Sequence, residues 1–283
     1  MVALLVGLAA LPLVLQYFSR LWEEEHYQYF PLLIGVIVYL GWSRWHEAPP
    51  VSRPLKVRCA LACGVPALLG LMIAILYQVP LLAVLSVLLG LGVVGLRLAS
   101  KRDVENLFGI WVLCWFLIRP PWGFDERMMG WLQSLTTLVS SRLLDLFGRL
   151  HLTEGNILTF PGKSFFVDEA CSGIISLRTM VAVTAVIVVY CNRPWVHAGL
   201  LIAAGFFWAG VMNVIRIGMI AVAHLKFEID LAEGWRHDLT GVVVFVVAFA
   251  GVLSTDAWLK FFLEPMQHGI RFAKNPLRGW WNR

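Results

Sequence analysis

A thiol, a guanidinium and an imidazole stand at the ends of three successive apolar runs in the last part of the chain. Cys171 opens the run at about 171–191, Arg216 lies near the end of the run at 196–224, and His237 begins the run at 239–262. Consecutive membrane spans run antiparallel, so the start of the first run, the end of the second and the start of the third share one side. A free thiol near pKa 8.5 is a poor nucleophile at neutral pH, and a helix N-terminus with a nearby cation or imidazole raises its thiolate fraction. His237 would supply the base that later protonates a leaving amine. Arg216 would aim fixed donors at a developing oxyanion, and Gly173 would let another chain approach closely. The reaction class these types describe is acyl transfer through a thioester.

Each residue has a plainer role open to it. A cysteine at a helix start is usually packing, Arg216 can snorkel to the interface, and His237 sits between Arg236 and Asp238 as an interfacial histidine would. Asn213 can bond another helix. Arg178 lies about two turns below Cys171 on the same helix face. A buried arginine there needs an acidic or carbonyl partner, either the substrate or one of Asp168 and Glu169.

The elements that must position these groups are membrane helices. Of 283 residues, 59% are hydrophobic and 14% charged, against about 25% charged in soluble chains. Apolar runs at about 2–18, 29–43, 59–77, 80–98, 171–191, 196–224 and 239–262 approach or exceed the length of a bilayer span. A shorter one, Leu107 to Ile118, stops at Arg119-Pro120-Pro121, since proline cannot continue a helix. The first run lacks a basic leader and a small-residue cleavage site, which predicts a retained helix.

Residues 125–149 carry Met128, Trp131, Leu132, Leu135, Leu138, Val139, Leu143, Leu146 and Phe147 at helical spacing. That pattern predicts an amphipathic helix lying on the membrane or capping the bundle. From His151 to Val167, two extended runs around Gly155-Asn156 and Pro161-Gly162 predict a small hairpin-like element.

The basic residues sort by face. Arg44, Arg53, Lys56, Arg58, Arg97, Lys101, Arg102, Arg193 and the tail from Lys260 to Arg283 fall together, which marks that face and both termini as cytoplasmic. Glu23, Glu24, Glu25, Asp168, Glu169 and Asp238 fall on the other. The net charge of +5 is thus a topology signal, and no nucleic-acid partner is expected. Trp280 and Trp281 read as interfacial anchors. Cys59, Cys63 and Cys114 read as small buried hydrophobes. With no histidine or second cysteine pair at ligand spacing, no metal and no cofactor are expected.

The stretch 105–245 resembles the exosortase/archaeosortase family. The resemblance is carried by the Pro-Pro turn with Leu132-Gln133 downstream, Gly-Asn-Ile at 155–157, Glu-Ala-Cys-Ser-Gly-Ile at 169–174, Asn-Val-Ile-Arg at 213–216 and His-Asp-Leu-Thr-Gly at 237–241. It implies Cys171 as nucleophile, Arg216 as stabiliser and His237 as acid/base group. Around them Glu169, Ser172, Gly173, Arg178, Asn213 and Gly241 are the candidate substrate-binding residues. It also implies the substrates: secreted proteins ending in a short motif, a hydrophobic helix and a basic tail (a PEP-CTERM-like signal), passed to an acceptor of unknown identity at the cell surface, often alongside exopolysaccharide production. Many members carry a polar residue directly after Ser-Gly-Ile, where this chain has Ile175 and places Arg178 three residues later.

The expected fold class is therefore an all-α polytopic membrane protein of the plasma membrane. It would have about eight transmembrane helices, an extracytoplasmic amphipathic helix and a small hairpin-like insertion. Scaffold helices would occupy 1–118, the extracytoplasmic segment 119–170, catalytic helices 171–262 and a basic cytoplasmic tail 263–283, with no appended soluble domain. The competing reading is a non-enzymatic polysaccharide-export component or a transporter, which should show interrupted helices or pseudo-repeats at the midplane. A histidine-based acyltransferase using His237 with Asp238 is disfavoured, because adjacent side chains do not readily face one substrate.

Overall fold

A computed structural model describes residues 2–24, 27–45, 54–98, 103–160, 163–166 and 173–273. Among them lie nine α-helices and one small sheet: α1 (Val2–Glu23), α2 (Phe30–Trp45), α3 (Pro54–Tyr77), α4 (Pro80–Leu98), α5 (Asp103–Cys114), α6 (Phe124–Leu146), β1 (Leu152–Glu154), β2 (Ile157–Phe160), β3 (Lys163–Phe166), α7 (Gly173–Tyr190), α8 (Trp195–Phe227) and α9 (Gly234–Ala273). Each of the eight apolar runs falls on a helix, and α6 occupies the amphipathic stretch. The protein is a mostly helical membrane protein.

By length and composition, two helices of the described residues are long and apolar enough to cross a membrane: Trp195–Phe227 and Gly234–Leu263. Shorter apolar helices cover Phe30–Arg44, Cys63–Tyr77, Pro80–Gly95, Leu107–Leu117 and Leu177–Tyr190. At 1.5 Å per residue the 16 residues of α2 reach only about 24 Å, short of a hydrocarbon core of about 30 Å.

The chain forms two compact units, Met1–Gly130 with Ala185–Asn192, and Trp131–Thr184 with Arg193–Arg283. In the first, α3 and α4 form the most extensive helix pair. Ala10 and Leu13 pack with Leu71, Ala74 and Ala83, and Tyr17, Leu21 and Tyr27 pack with Val84, Leu88 and Cys114. The short α5 gives way to a 3-10 turn at Trp115–Leu117 and ends ahead of the two prolines. A helix end leaves carbonyls unsatisfied, and here tyrosines meet them: Tyr29 donates to the Phe116 carbonyl and Tyr17 to that of Leu117, each at 3.1 Å. The Tyr17 hydroxyl also accepts from the Arg119 amide at 2.7 Å, and Arg119 pairs with Glu24 at 2.8 Å.

In the second unit the expected two-run hairpin is a three-stranded antiparallel sheet, ordered β1-β2-β3. The turn at Gly155-Asn156 joins β1 to β2, with Glu154 opposite Ile157 and Gly155 at φ +60°. A further strand, β3, pairs Lys163 with Phe160. The third strand has no period-2 pattern to mark it, since Lys163–Phe166 is polar in its first half and aromatic in its second, and in β2 the alternation is one of burial, with Leu158 and Phe160 buried and Ile157 and Thr159 less so. The Pro161-Gly162 turn and the tail from 274, with Trp280 and Trp281, lie outside the described residues.

α6 has its apolar face outward. Trp131, Leu135, Leu138, Val139, Leu143, Leu146 and Phe147 are exposed, while Thr136, Thr137 and Ser140 are buried. Its one large buried hydrophobe there, Leu144, joins Leu158 and Phe160 of β2 and Ile217, Ile220 and Ala221 of α8 in a single core cluster. The His151 ring ties α6 to the sheet: Nδ1 lies 2.9 Å from the Arg149 carbonyl and must carry the proton, so Nε2 accepts from the Ser141 hydroxyl at 2.8 Å.

α8 and α9 form the most extensive helix pair of this unit. A glycine makes their approach possible, since a Cβ at Gly251 would lie 2.6 Å from the Trp208 ring; on its other side α8 meets α7, where a Cβ at Gly205 would lie 2.9 Å from Thr184 Oγ1. Trp208 closes the seam by donating to Thr255 Oγ1 at 3.0 Å.

Candidate active site

The site is built where α8 approaches its end and α9 begins. α8 terminates in a left-handed cap at Glu228, φ 54°, whose amide returns to His224 while that of Ile229 returns to Ala223. Asp230 then accepts from the Ala232 amide at 2.9 Å, and Leu231 and Ala232 pack on the cluster formed by Leu144, Ile217 and Ile220. Gly234, at φ +62°, opens α9. This pinned connection brings the first turn of α9 back beside Arg216.

Arg216 is 1% exposed. Its Nη2 donates to the backbone carbonyl of His237 at 3.1 Å, and the same carbonyl accepts from Thr240 Oγ1 at 2.8 Å. Gly241, one turn along, makes room for the guanidinium: a Cβ there would lie 3.4 Å from Nη2 and 3.7 Å from Cζ and Nη1. A buried cation is tolerable only with fixed polar partners, and a backbone carbonyl is a partner that cannot swing away.

The imidazole of His237 is held at one nitrogen. Nδ1 lies 3.3 Å from Asp238 Oδ1, on a side chain that is 83% exposed. A carboxylate there favours the proton on Nδ1. Nε2 is buried and has no hydrogen-bond partner among the described residues; the same holds for Oδ1 of Asn213, three residues before Arg216 on α8. Buried polar atoms are ordinarily satisfied, which sets these two atoms, one on α8 and one on α9, apart. Asp238 faces the histidine from the exposed side.

Of the residues singled out in the sequence, Arg216, His237 and Gly241 are brought together. Asn213 lies on α8 one turn from Arg216 and Gly173 is the first residue of α7. Arg178 is half-buried on α7, its guanidinium nitrogens fully so. Glu169, Cys171 and Ser172 lie outside the described residues; the described part of α7 begins two residues beyond Cys171. Among the described residues, no group of three or more His, Cys, Asp or Glu side chains is placed to hold a metal ion. Cys63, Cys114 and Cys191 are free thiols.

A second polar cluster was not anticipated from the sequence, where Arg193 counted only as a charge of one face. Arg193, just before α8, grips both carboxylate oxygens of Asp256 on α9, Nε reaching Oδ1 at 2.9 Å and Nη2 reaching Oδ2. His197 Nε2 reaches the same Oδ1 at 2.7 Å. The three side chains are 15%, 11% and 3% exposed. The signal was an acid inside an apolar run, opposite Arg193 and His197 at helical i, i+4 spacing.

A family model described as transmembrane exosortase matches residues 21–254. Comparison with curated proteins and with solved structures gives no match.

Proposed function

This chain belongs to the transmembrane exosortase family, and on that premise we propose that it is a membrane cysteine protease/transpeptidase that cuts the C-terminal sorting signal from secreted proteins and passes the shortened chain to a cell-surface acceptor. The observation that carries the reading is the pairing of α8 and α9 at one end. A buried guanidinium is anchored on the His237 backbone, and the His237 Nε2 beside it is buried with no partner among the described residues.

In this mechanism the Cys171 thiol gives its proton to Nε2 of His237, whose Nδ1–H is held toward Asp238. The thiolate attacks the scissile carbonyl, a C–S bond forms, and the carbonyl electron pair moves onto oxygen. Arg216 stabilises that oxyanion with donors fixed before the substrate arrives. Collapse breaks the C–N bond, and the departing amine takes the proton from His237. The acceptor nucleophile then attacks the thioester, its proton passes to His237, and the thiol is regenerated. Asn213, Arg178, Glu169, Ser172, Gly173 and Gly241 shape the substrate's approach.

In this reading the chain crosses the plasma membrane about eight times, with both termini cytoplasmic and the site near the extracytoplasmic face, as its loop charges support. The outward apolar face of α6 suits a helix embedded at the lipid boundary. Its substrates carry a motif, an apolar helix and a basic tail.

The test is co-expression with a secreted protein bearing such a signal, comparing wild type with Cys171→Ala by gel and by product mass. Shortening by the wild type alone supports the transpeptidase, and the mass names the bond cut. Equal processing by both, or none by either across several such substrates, refutes it and favours an export component or transporter.

A further inference from the structure

The Arg193–His197–Asp256 cluster lies far along the helix pair from the candidate active site, and the numbering of the two is in step. Nineteen residues separate His197 from Arg216 on α8, and the same nineteen separate His237 from Asp256 on α9. That places the two polar contacts at the same antiparallel register, about five turns or about 28 Å apart along both helices. Between them Trp208 sits on Gly251 and donates to Thr255.

Lipid tails are as apolar as the side chains they surround, so apolar packing supplies little to hold one such helix in axial register with another. The outward faces of α8 and α9 are apolar along their length, as Phe207, Ile215, Met219, Val242, Val246 and Leu253 illustrate. A buried carboxylate held by both nitrogens of an arginine fork and by a histidine is different, because its geometry is satisfied at one axial position. Register is the best-attested use of a buried polar contact. The active site needs that register: Arg216 reaches the His237 carbonyl at 3.1 Å, and a slip of one turn, about 5.4 Å, takes it out of reach.

We propose that Arg193, His197 and Asp256 are positioning residues, a polar clip that locks α8 against α9 in the register at which Arg216 and His237 meet. The link to turnover rests on the proposed reaction, whereas the register itself does not, and the experiment separates the two.

Spin labels are placed at Ile215 and Val242, exposed residues of α8 and α9 beside the active site, in full-length protein with its native cysteines replaced, reconstituted in lipid nanodiscs. Double electron–electron resonance then reads the distance in the presence of the native Asp256, Asp256→Asn and Asp256→Glu. The expected result is one narrow distance with Asp256 and a broadened or second distance, displaced by up to about one turn (about 5 Å), with Asn. Glu, which keeps the charge, should recover most of the narrow population. In the cysteine-containing enzyme, Asp256→Asn should lower kcat at least tenfold and leave KM within about twofold. An unchanged distance in Asp256→Asn overturns the register lock whatever the activity, and a shifted distance with wild-type kcat overturns its role in the reaction. If Asp256→Asn fails to accumulate, Arg193→Lys, which keeps the charge and loses the fork, is read against the same two outcomes. Absence of processing by wild type counts against the transpeptidase alone, since the distances still decide the register.

Discussion

The contact between Gly241 and Arg216 gives the sharpest handle on the candidate site. A methyl group at Gly241 would touch Nη2 at 3.4 Å, an ordinary van der Waals approach, whereas the branched carbons of leucine must occupy the volume that now holds the guanidinium. Gly241→Ala should therefore be mild. The added contact is offset by the roughly 0.5–1 kcal/mol that alanine contributes over glycine in a helix interior, and processing should stay within about threefold of wild type. Gly241→Leu should push Arg216 off the His237 carbonyl. A buried hydrogen bond from a charged donor contributes about 1.5–3 kcal/mol, and removal of one oxyanion donor costs about 10²–10³ in kcat. The leucine variant should consequently lose about 10²- to 10³-fold in turnover at unchanged membrane abundance. The assay is the rate of substrate shortening in membranes with enzyme levels matched by immunoblot. Processing by Gly241→Leu within threefold of wild type, beside an inactive Arg216→Ala, would refute the claim that Gly241 sets the position of the guanidinium.

Other substitutions separate the remaining roles. Arg216→Ala should abolish processing while Arg178→Ala only weakens it, read in the same shortening assay; full activity in both would remove arginine from the mechanism. His237→Ala should cost about 10²–10⁴ in rate, whereas Asp238→Asn, at an exposed 3.3 Å contact, should cost less than tenfold, as initial rates will tell. Gly251→Ala would bring a Cβ within 2.6 Å of Trp208, and overpacking of this kind costs about 1–3 kcal/mol. Thermal unfolding followed by tryptophan fluorescence should shift downward, and Trp208→Phe in the same chain should restore part of the loss.

How far the sequence speaks depends on the kind of constraint. Helix positions were legible because each long apolar run expected around 2–18, 29–43, 59–77, 80–98, 107–118, 171–191, 196–224 and 239–262 falls on a helix, two of which are, among the described residues, long and apolar enough to cross a membrane. The meeting of Arg216 with His237 was legible too, since antiparallel succession puts the end of one run beside the start of the next. What lay hidden was contact chemistry. Arg216 bonds the backbone of residue 237, not its ring, and backbone partners leave no mark on residue identity. Gly241 read as part of a motif, yet its neighbour is the arginine. Asp256 lay unremarked inside an apolar run because its partners, Arg193 and His197, stand some sixty residues earlier. For α6 the helical period was legible, but periodicity does not say which face looks inward, and here Thr136, Thr137 and Ser140 do.

The even spacing of the two polar contacts on α8 and α9 ties the protein to the thickness of its host membrane. An apolar helix pair in a mismatched bilayer ordinarily adjusts by tilting or sliding, at a cost of fractions of a kcal/mol per Å. This pair is fastened at both ends of a stretch of about 28 Å, close to the roughly 30 Å of an ordinary hydrocarbon core. With the proposed register lock in place sliding is closed to it, so a bilayer a few Å thicker or thinner would be met by tilt of the whole pair or by deformation of the lipid. Lipid composition would thereby act on the depth at which Arg216 and His237 stand, without any lipid binding to the protein.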